Sequence, residues 1–166
     1  MRFCKASCED VPLLRAFILD HGESEYNSLP PDAVDSELSL LSTGHADALC
    51  VYEGQGLLGF ALLVRGEACP DCLAQYDDLK GMCYAAEVVV SRQCTGRGLG
   101  TRLLSLCVEE ARDKGYRSVY IWRHEDNAPS AGMMRKAGFR MVDTVYDPHT
   151  RKTGSRRTTI MNRTVH

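Results

Sequence analysis

The most constraining feature of the sequence is a strand, a glycine-rich turn and a helix in direct succession. Residues 87–90 read Glu-Val-Val-Val, a β-branched run typical of a buried strand, and residues 95–100 read Thr-Gly-Arg-Gly-Leu-Gly. Apolar residues then recur at helical spacing from 98 to 114. Glycines let the backbone approach a ligand closely, and a helix start offers free N–H groups with the positive end of the dipole. The segment predicts a pyrophosphate site, with added positive charge from Arg92, Arg97 and Arg102.

Two other phosphate-binding motifs fit this segment less well. A Walker A loop needs a Lys directly after its last glycine, and none follows here. A Rossmann fingerprint needs GxGxxG and an acidic residue about 20 positions later. Gly96, Gly98 and Gly100 have the spacing GxGxG instead, and Arg117 and Ser118 occupy the expected acidic position. The sequence therefore disfavours both of these nucleotide sites.

The remaining pattern predicts one α+β unit that spans residues 1–166 as a single domain. Turn signals and apolar periodicity predict the element order β-α-α-β-β-β-α-β-α-β-β. Asp10 and Pro30 begin the two early helices, and Asn127 begins the last one, which ends at Gly138. Residues 65–81 are predicted to be a polar connector. The other predicted strands are 2–6, 48–52, 57–64, 118–122, 139–145 and 158–163.

Composition limits the class of protein. The 166 residues carry a formal net charge of −2, and no apolar run approaches the ~18 residues of a membrane span. The first residues lack the apolar core of a signal peptide, so we expect a cytoplasmic protein with no membrane partner. The charge is uneven: residues 1–90 have a net charge of −10 and residues 91–166 one of +8. Such asymmetry indicates either oppositely charged partners for the two halves or solvated surface charge.

Eight cysteines raise the question of a metal or redox site. In a reducing compartment, we expect free thiols, and Cys4, Cys50, Cys83 and Cys107 lie in apolar stretches. Cys69 and Cys72 form a CxxC pair, but no second pair follows at the spacing of a zinc finger. Plain reduced thiols are therefore the preferred interpretation, and no metal is expected. A metal or redox module on Cys69 and Cys72 stays open as an alternative.

The chain resembles the GNAT superfamily of N-acetyltransferases in two places. The family signature [Gln/Arg]-x-x-Gly-x-[Gly/Ala] is similar to residues 95–100, and the family's Asn…Gly-Phe run is similar to Asn127 with Gly138 and Phe139. The predicted element order agrees over nearly the whole chain. The resemblance implies a three-layer α/β arrangement, in which helices flank a mixed, splayed, largely antiparallel sheet. It also implies that acetyl-coenzyme A (acetyl-CoA) binds between the fourth and fifth strands.

The resemblance implies roles for individual residues. Val88 and Val90 would offer backbone groups to the pantetheine arm of the coenzyme, and Asn127 would contact it or cap a helix. The remaining coenzyme-binding positions share backbone N–H groups that would hold the pyrophosphate: Thr95, Gly96, Arg97, Gly98, Leu99, Gly100 and Thr101. Two departures stand out, because Thr95 replaces the usual Gln or Arg, and Met134 occupies the position of a frequent proton-donating tyrosine.

Acetyl transfer to an amine requires a base, because an amine of pKa ~10.4 is protonated at neutral pH. Glu87 is the predicted base, and the N–H of Val90 is the predicted donor to the thioester oxygen. Tyr84, Tyr120, Tyr146 or a water could replace the missing proton donor. A structural, ion-paired Glu87 is the alternative.

The acidic early segments suggest a cationic acceptor amine, drawn by a negative rim. The rim would consist of acidic residues before the fourth strand: Glu23, Glu25, Asp32, Asp35, Asp77 and Asp78. The basic residues 149–157 are predicted to be an exposed hairpin loop rather than a nucleic-acid site, although a role toward the coenzyme's phosphate or a carboxylated acceptor stays open.

The sequence therefore predicts an N-acetyltransferase that acetylates a small-molecule amine by direct attack in a ternary complex. A protein Lys or N-terminal acetyltransferase and a catalytically silent CoA-binding regulator are the alternatives. Both a monomer and a homodimer are compatible with the sequence.

Overall fold

A computed structural model describes residues 1–165 as seven strands and four helices, with short 3-10 turns between them. The strands are β1 (Arg2–Lys5), β2 (Ala46–Glu53), β3 (Gly56–Arg65), β4 (Met82–Val90), β5 (Ser118–His124), β6 (Arg140–Tyr146) and β7 (Arg157–Thr164). The helices are α1 (Val11–His21), α2 (Pro31–Ser42), α3 (Leu99–Asp113) and α4 (Ala128–Lys136). The element order predicted from the sequence is confirmed.

All seven strands form one mixed sheet in the order β1-β2-β3-β4-β5-β7-β6. Every neighbouring pair is antiparallel except β4 and β5, which are parallel. That pair is short: it joins Met82–Tyr84 to Ser118–Tyr120 and ends there, although both strands continue. The two strands therefore splay apart beyond Tyr84, which confirms the predicted splayed sheet and opens a wedge in its middle.

Helices cover both faces of the sheet. Leu14 and Ile18 of α1 and Leu38 of α2 pack on one face, around Phe60 of β3. A second cluster of buried residues packs on the other face, beneath α3 and α4. Its helical members are Leu103, Leu104, Cys107, Val108, Ala111 and Met134. The predicted three-layer arrangement is confirmed, and the wedge between β4 and β5 lies between two packed layers.

A bulge in β4 decides which way Glu87 faces. Leu62 of β3 pairs with Glu87, but the next residue, Leu63, pairs with Ala85, so Ala86 is an extra residue. An extra residue reverses the alternation of side chains along a strand. Glu87 consequently lies on the same sheet face as Tyr84, the face covered by α1 and α2.

The polar connector 65–81 is more ordered than the sequence suggested. It contains three short 3-10 turns, and Leu73 from the second of them is fully buried. Cys69 is buried and Cys72 is exposed, so the two thiols of the CxxC pair lie in different environments. Over residues 1–165, all eight cysteines are free and no cluster of His, Cys, Asp or Glu is arranged to hold a metal. Within the same range, no helix is both long and apolar enough to span a membrane.

Candidate active site

A cavity of about 870 Å³ occupies the wedge between β4 and β5. Its walls come from five parts of the chain: the α1–α2 connection with the first turns of α2, the second half of β4, the end of β5, the start of α4, and the β6–β7 connection. Ligand sites in proteins are concave and few, and this volume suits a cofactor arm together with a small acceptor.

The turn between β4 and α3 forms the mouth of the cavity. Gly96 and Gly98 have φ angles of +84° and +74°, and both positions are open, with no atom near where a Cβ would lie. Gly98 is the N-cap of α3. The N–H groups of the first helical residues, Leu99, Gly100 and Thr101, therefore have no acceptor within the helix. The loop therefore has the free donors and the positive dipole end that an anion needs.

Glycine is required at position 100 for a different reason, which is close packing between helices. A Cβ at this position would lie 2.7 Å from Sδ of Met133 and 3.8 Å from Cγ2 of Val90. The missing side chain lets α3 pack closely against α4.

Most of the arginines near this turn are held by other groups. Arg92 donates from Nη2 to the Glu23 carbonyl at 2.9 Å, which ties the turn to the end of α1. Arg97 contacts Glu53 at 3.4 Å, and Arg102 lies over the Phe3 ring. The positive charge that these three arginines are expected to add to the turn therefore stays a prediction. The donors that the structure presents here are backbone N–H groups.

The free edge of β4 presents the backbone of Val88 and Val90 to the cavity. Ser91 donates its N–H to the Leu58 carbonyl at 2.8 Å, and bonded positions alternate along an antiparallel pair. Val88 and Val90 are out of phase with Ser91, so their N–H and C=O groups point away from β3 and toward β5. Pairing with β5 has already ended at Tyr84. These groups are therefore placed to pair with an extended ligand in the wedge.

Asn127 lies across the cavity, at the start of α4. Its Oδ1 accepts a hydrogen bond from the Ser130 N–H at 3.3 Å, so it is the N-cap of that helix. The residue also lines the cavity. Capping is thus established, and the position leaves the amide nitrogen free to meet a ligand.

Glu87 is partly buried at the cavity wall beside a second partly buried carboxyl group, Glu37 of α2. Burial, together with the neighbouring Glu37, raises the pKa of Glu87 well above its usual value. Burial also raises the pKa of Glu37, and a hydrogen bond with Glu87 partly offsets that rise. Two neighbouring carboxyl groups of this kind titrate as a pair, and the charge of each disfavours ionisation of the other. The second oxygen of Glu37, Oε2, is buried and has no partner among residues 1–165.

Residues 14–139 match the sequence pattern of the acetyltransferase (GNAT) family. The chain belongs to the GNAT acetyltransferase family. No curated protein sequence matches it significantly.

Solved structures agree with the GNAT fold over the whole chain. A ribosomal-protein-alanine N-acetyltransferase from Brucella melitensis has a TM-score of 0.75 at 18% identity, covering 99% of this chain and 100% of its own. The putative acetyltransferase yncA from Salmonella typhimurium, solved with acetyl-CoA, has a TM-score of 0.76 at 19% identity, covering 100% and 94%. A Bacillus subtilis acetyltransferase in complex with CoA has a TM-score of 0.73 at 16% identity, covering 99% of both chains.

The four tyrosines near the GNAT site differ in access to the cavity. Tyr84 lines it, and burial raises the pKa of its phenol well above the usual range. Tyr26, which the sequence reasoning did not single out, also lines it. Tyr120 is buried outside the cavity lining, and Tyr146 is 64% exposed. Met134 is buried at the cavity wall, so the position of the frequent tyrosine does lie at the site but carries a thioether.

The predicted acidic rim needs correction. Of its six members, Glu25 lines the cavity, whereas Asp77 and Asp78 line a separate depression beside the connector 65–81. Asp35 forms an ion pair with Arg15 at 2.6 Å on the outer surface. Besides Glu25 and Glu87, the acidic residue that lines the cavity is Glu37, which the sequence analysis did not single out. The sequence pattern that could have identified Glu37 is a carboxylate within the apolar stripe of α2 that includes Val34 and Leu38.

Two further cavity residues were missed as site residues. His124 is buried: its Nδ1 accepts from the Asp126 N–H at 3.0 Å, and its Nε2 lies 2.7 Å from the Thr153 carbonyl. Both ring nitrogens are therefore occupied, which makes His124 a structural group. Arg151 belongs to the basic segment predicted as an exposed loop, yet it is buried at the cavity wall. No local sequence pattern distinguishes it from its exposed neighbour Lys152.

Proposed function

We propose that the protein transfers an acetyl group from acetyl-CoA to the primary amine of a small molecule. The observation that carries the proposal is the partly buried carboxyl pair, Glu37 and Glu87, in the same cavity as the free edge of β4. A cavity that combines an extended-ligand edge, an anion-binding helix start and a proton-accepting pair suits an acyl transfer to an amine. All eight thiols are free, which supports the expectation of a reducing, cytoplasmic environment.

The residues present fit the coenzyme. Gly96 and Gly98 leave open space where side chains would otherwise stand, and the adjacent helix start supplies unpaired N–H donors. The proposed coenzyme-binding residues therefore form the turn and the start of α3: Thr95, Gly96, Arg97, Gly98, Leu99, Gly100 and Thr101. Val88 and Val90 would hold the extended arm through backbone groups, and Asn127 would contact it from the opposite wall. The expected departure at Thr95 was wrong: counted from Gln93, residues 93–98 match [Gln/Arg]-x-x-Gly-x-[Gly/Ala] at every fixed position, so the long polar side chain is present.

The carboxyl pair supplies the base. When bound, acetyl-CoA provides an acetyl group activated as a thioester, and transfer to an amine forms an amide and releases the CoA thiol with one proton. An acceptor ammonium must lose a proton before its nitrogen can attack, and Glu87 accepts it. A raised pKa brings the carboxylate closer to neutral pH, which improves it as a base. Glu37 lines the same cavity and helps to raise the pKa of Glu87.

The thioester oxygen and the departing thiol also need partners. The N–H of Val90 faces the wedge and donates to the oxygen, where negative charge develops. Met134 has no proton to donate. Tyr84 lines the cavity with its phenol fully protonated, and a CoA thiol with a pKa of ~8.5 is already a fair leaving group. Tyr84, directly or through water, is therefore the proposed proton donor.

A protein N-terminus is the second candidate acceptor. It is favoured by the structural similarity to the ribosomal-protein-alanine N-acetyltransferase from Brucella melitensis. A silent CoA-binding regulator is the third candidate, and Met134 is the observation that favours it.

A panel of amines separates these functions. The protein is incubated with acetyl-CoA and polyamines, amino sugars, amino acids or peptides, and release of free CoA thiol is followed. We expect release that depends on a small amine and saturates with it. Release with peptides alone would favour the protein acetyltransferase. Tight CoA binding with no amine-dependent release would overturn the proposed enzyme and favour the regulator.

A further inference from the structure

The cavity contains a buried positive charge as well as the carboxyl pair. Arg151, from the β6–β7 connection, is 5% exposed and lines the cavity. Its Nε donates to Oγ1 of Thr158 at 2.9 Å, and its Nη1 donates to the carbonyl of Tyr26 at 3.2 Å. Tyr26 is itself a cavity residue. The guanidinium is thus fixed at the wall by two neutral acceptors.

No carboxylate neutralises Arg151 directly. Among the ion pairs within residues 1–165, none involves Arg151, so no carboxylate oxygen there lies within 4.0 Å of its guanidinium. Asp147 reaches it through the Thr158 hydroxyl, which donates to Asp147 at 2.9 Å. Within the same described range, Nη2 has no hydrogen-bond partner. Buried charges are ordinarily paired, so a guanidinium held this way is suited to an anionic group of a ligand.

The positive and negative groups belong to one cavity. Glu37, Glu87 and Arg151 all line the cavity that Tyr84 also lines. The β6–β7 connection is also tied to the α1–α2 connection, since Thr153 donates to the carbonyl of Glu25 at 3.0 Å. The cavity therefore offers both a proton acceptor for an amine and a fixed cation.

We propose that the acceptor carries a carboxylate in addition to its amine, and that Arg151 binds this carboxylate in a small amino acid. The inference rests on the proposed acetyl transfer and specifies its substrate class. A polyamine would place a second cation against the guanidinium, and a neutral amino sugar would leave the guanidinium unpaired. An amino acid satisfies both ends, because its amine meets Glu37 and Glu87 while its carboxylate meets Arg151.

The test compares acids with their amides on the wild-type protein. The probes are the twenty L-α-amino acids and the α-carboxamide of each, titrated calorimetrically into protein saturated with CoA, and then assayed for acetylation. We expect at least one acid to bind about 10- to 150-fold more tightly than its amide, the range for a charged hydrogen-bonded pair. If every acid that binds does so no more tightly than its amide, or if no acid binds, the proposal is overturned.

Two variants locate the effect. Arg151→Gln is expected to abolish the preference for acid over amide, whereas Lys152→Gln, the exposed neighbour, retains it. Arg151→Lys keeps the charge and serves in the same comparison if Arg151→Gln does not fold; it is expected to retain only part of the preference. A full preference in Arg151→Gln would overturn the role of this residue. Acetylation of acids and amides alike would contradict this inference and leave the proposed acetyl transfer intact, whereas failure to bind CoA would overturn both.

Discussion

The two ends of the cavity present different kinds of chemical group to a ligand, backbone groups at one end and side chains at the other. At the coenzyme end, the groups that face a ligand are backbone N–H and C=O groups of Val88, Val90 and the turn that leads into α3. At the acceptor end, they are titratable side chains, the carboxyl pair Glu37 and Glu87 and the guanidinium of Arg151. Backbone geometry depends on the fold alone, whereas the behaviour of a buried side chain depends on its neighbours.

This difference separates what is general in the site from what is specific. Backbone donors stay in position when side chains change, so substitutions at the proposed coenzyme end are expected to matter only where they fill space or add charge. A partly buried carboxyl pair is more sensitive to substitution, because each group affects the protonation of the other. The side chains at the proposed acceptor end are accordingly the ones expected to set the substrate of this protein.

The largest expected effect comes from Gly98→Glu at the coenzyme end. The residue has a φ of +74°, and a glutamate there would place bulk and negative charge at the N-terminus of α3. We expect CoA binding to be lost in calorimetric titration. Gly115→Glu is the matched control, since Gly115 has a φ of +84° but follows the far end of the same helix. Undiminished CoA affinity in Gly98→Glu would refute the location of the cradle.

A smaller effect is expected from Glu37→Gln at the acceptor end. Glu37 raises the pKa of Glu87, so its removal should lower that pKa toward the ordinary carboxyl value. The acid limb of the pH profile of kcat/KM should then move to lower pH, while CoA affinity stays unchanged. Asp35→Asn, an exposed change on the same helix, should leave the profile where it is. An unmoved acid limb in Glu37→Gln would show that the two carboxyl groups are not coupled.

The carboxyl pair should also make the free energy of unfolding depend on pH. Because the pKa of Glu87 is raised in the folded protein, the folded state binds more protons than the unfolded chain above the ordinary value of 4.5. The free energy of unfolding should therefore fall as pH rises through that window, by at most about 1.4 kcal/mol per pH unit for this group. Glu87→Gln removes the ionisable group and should flatten the curve measured by denaturant unfolding. An equal slope in both proteins would contradict the burial of an ionisable Glu87.

The smallest effect is expected outside both ends of the cavity. Burial raises the pKa of the Cys69 thiol to about 12, and Cys72 lies exposed on the surface. The double variant Cys69→Ser, Cys72→Ser should keep full activity without metal and lose about 1 kcal/mol of stability at the buried position. Cys72→Ser alone should show no loss. Stoichiometric zinc in the wild-type protein, or loss of activity in the double variant, would favour a metal or redox module.

The sequence predicted the coenzyme end better than the acceptor end for a physical reason. Residues 88–101 are contiguous, and strand, turn and helix follow from local patterns of β-branched residues, glycines and helical periodicity. The acceptor end joins Glu37, Glu87 and Arg151, which are brought together only by the packing of α2 and the β6–β7 connection on the sheet. Glu87 was found because it precedes the turn. The face on which Glu87 lies could not be predicted, because it depends on the bulge at Ala86 and no local sequence pattern indicates that bulge.

The most direct test of the account is the turnover of Glu87→Gln measured beside Glu9→Gln, an exposed carboxylate change. With acetyl-CoA and an accepted amine, we expect Glu87→Gln to lower kcat by about 10²- to 10⁴-fold, the range for loss of a general base. CoA affinity should be unchanged in both variants, and Glu9→Gln should keep wild-type turnover. Wild-type turnover in Glu87→Gln would contradict the claim that this cavity uses a partly buried carboxyl pair to deprotonate the acceptor amine.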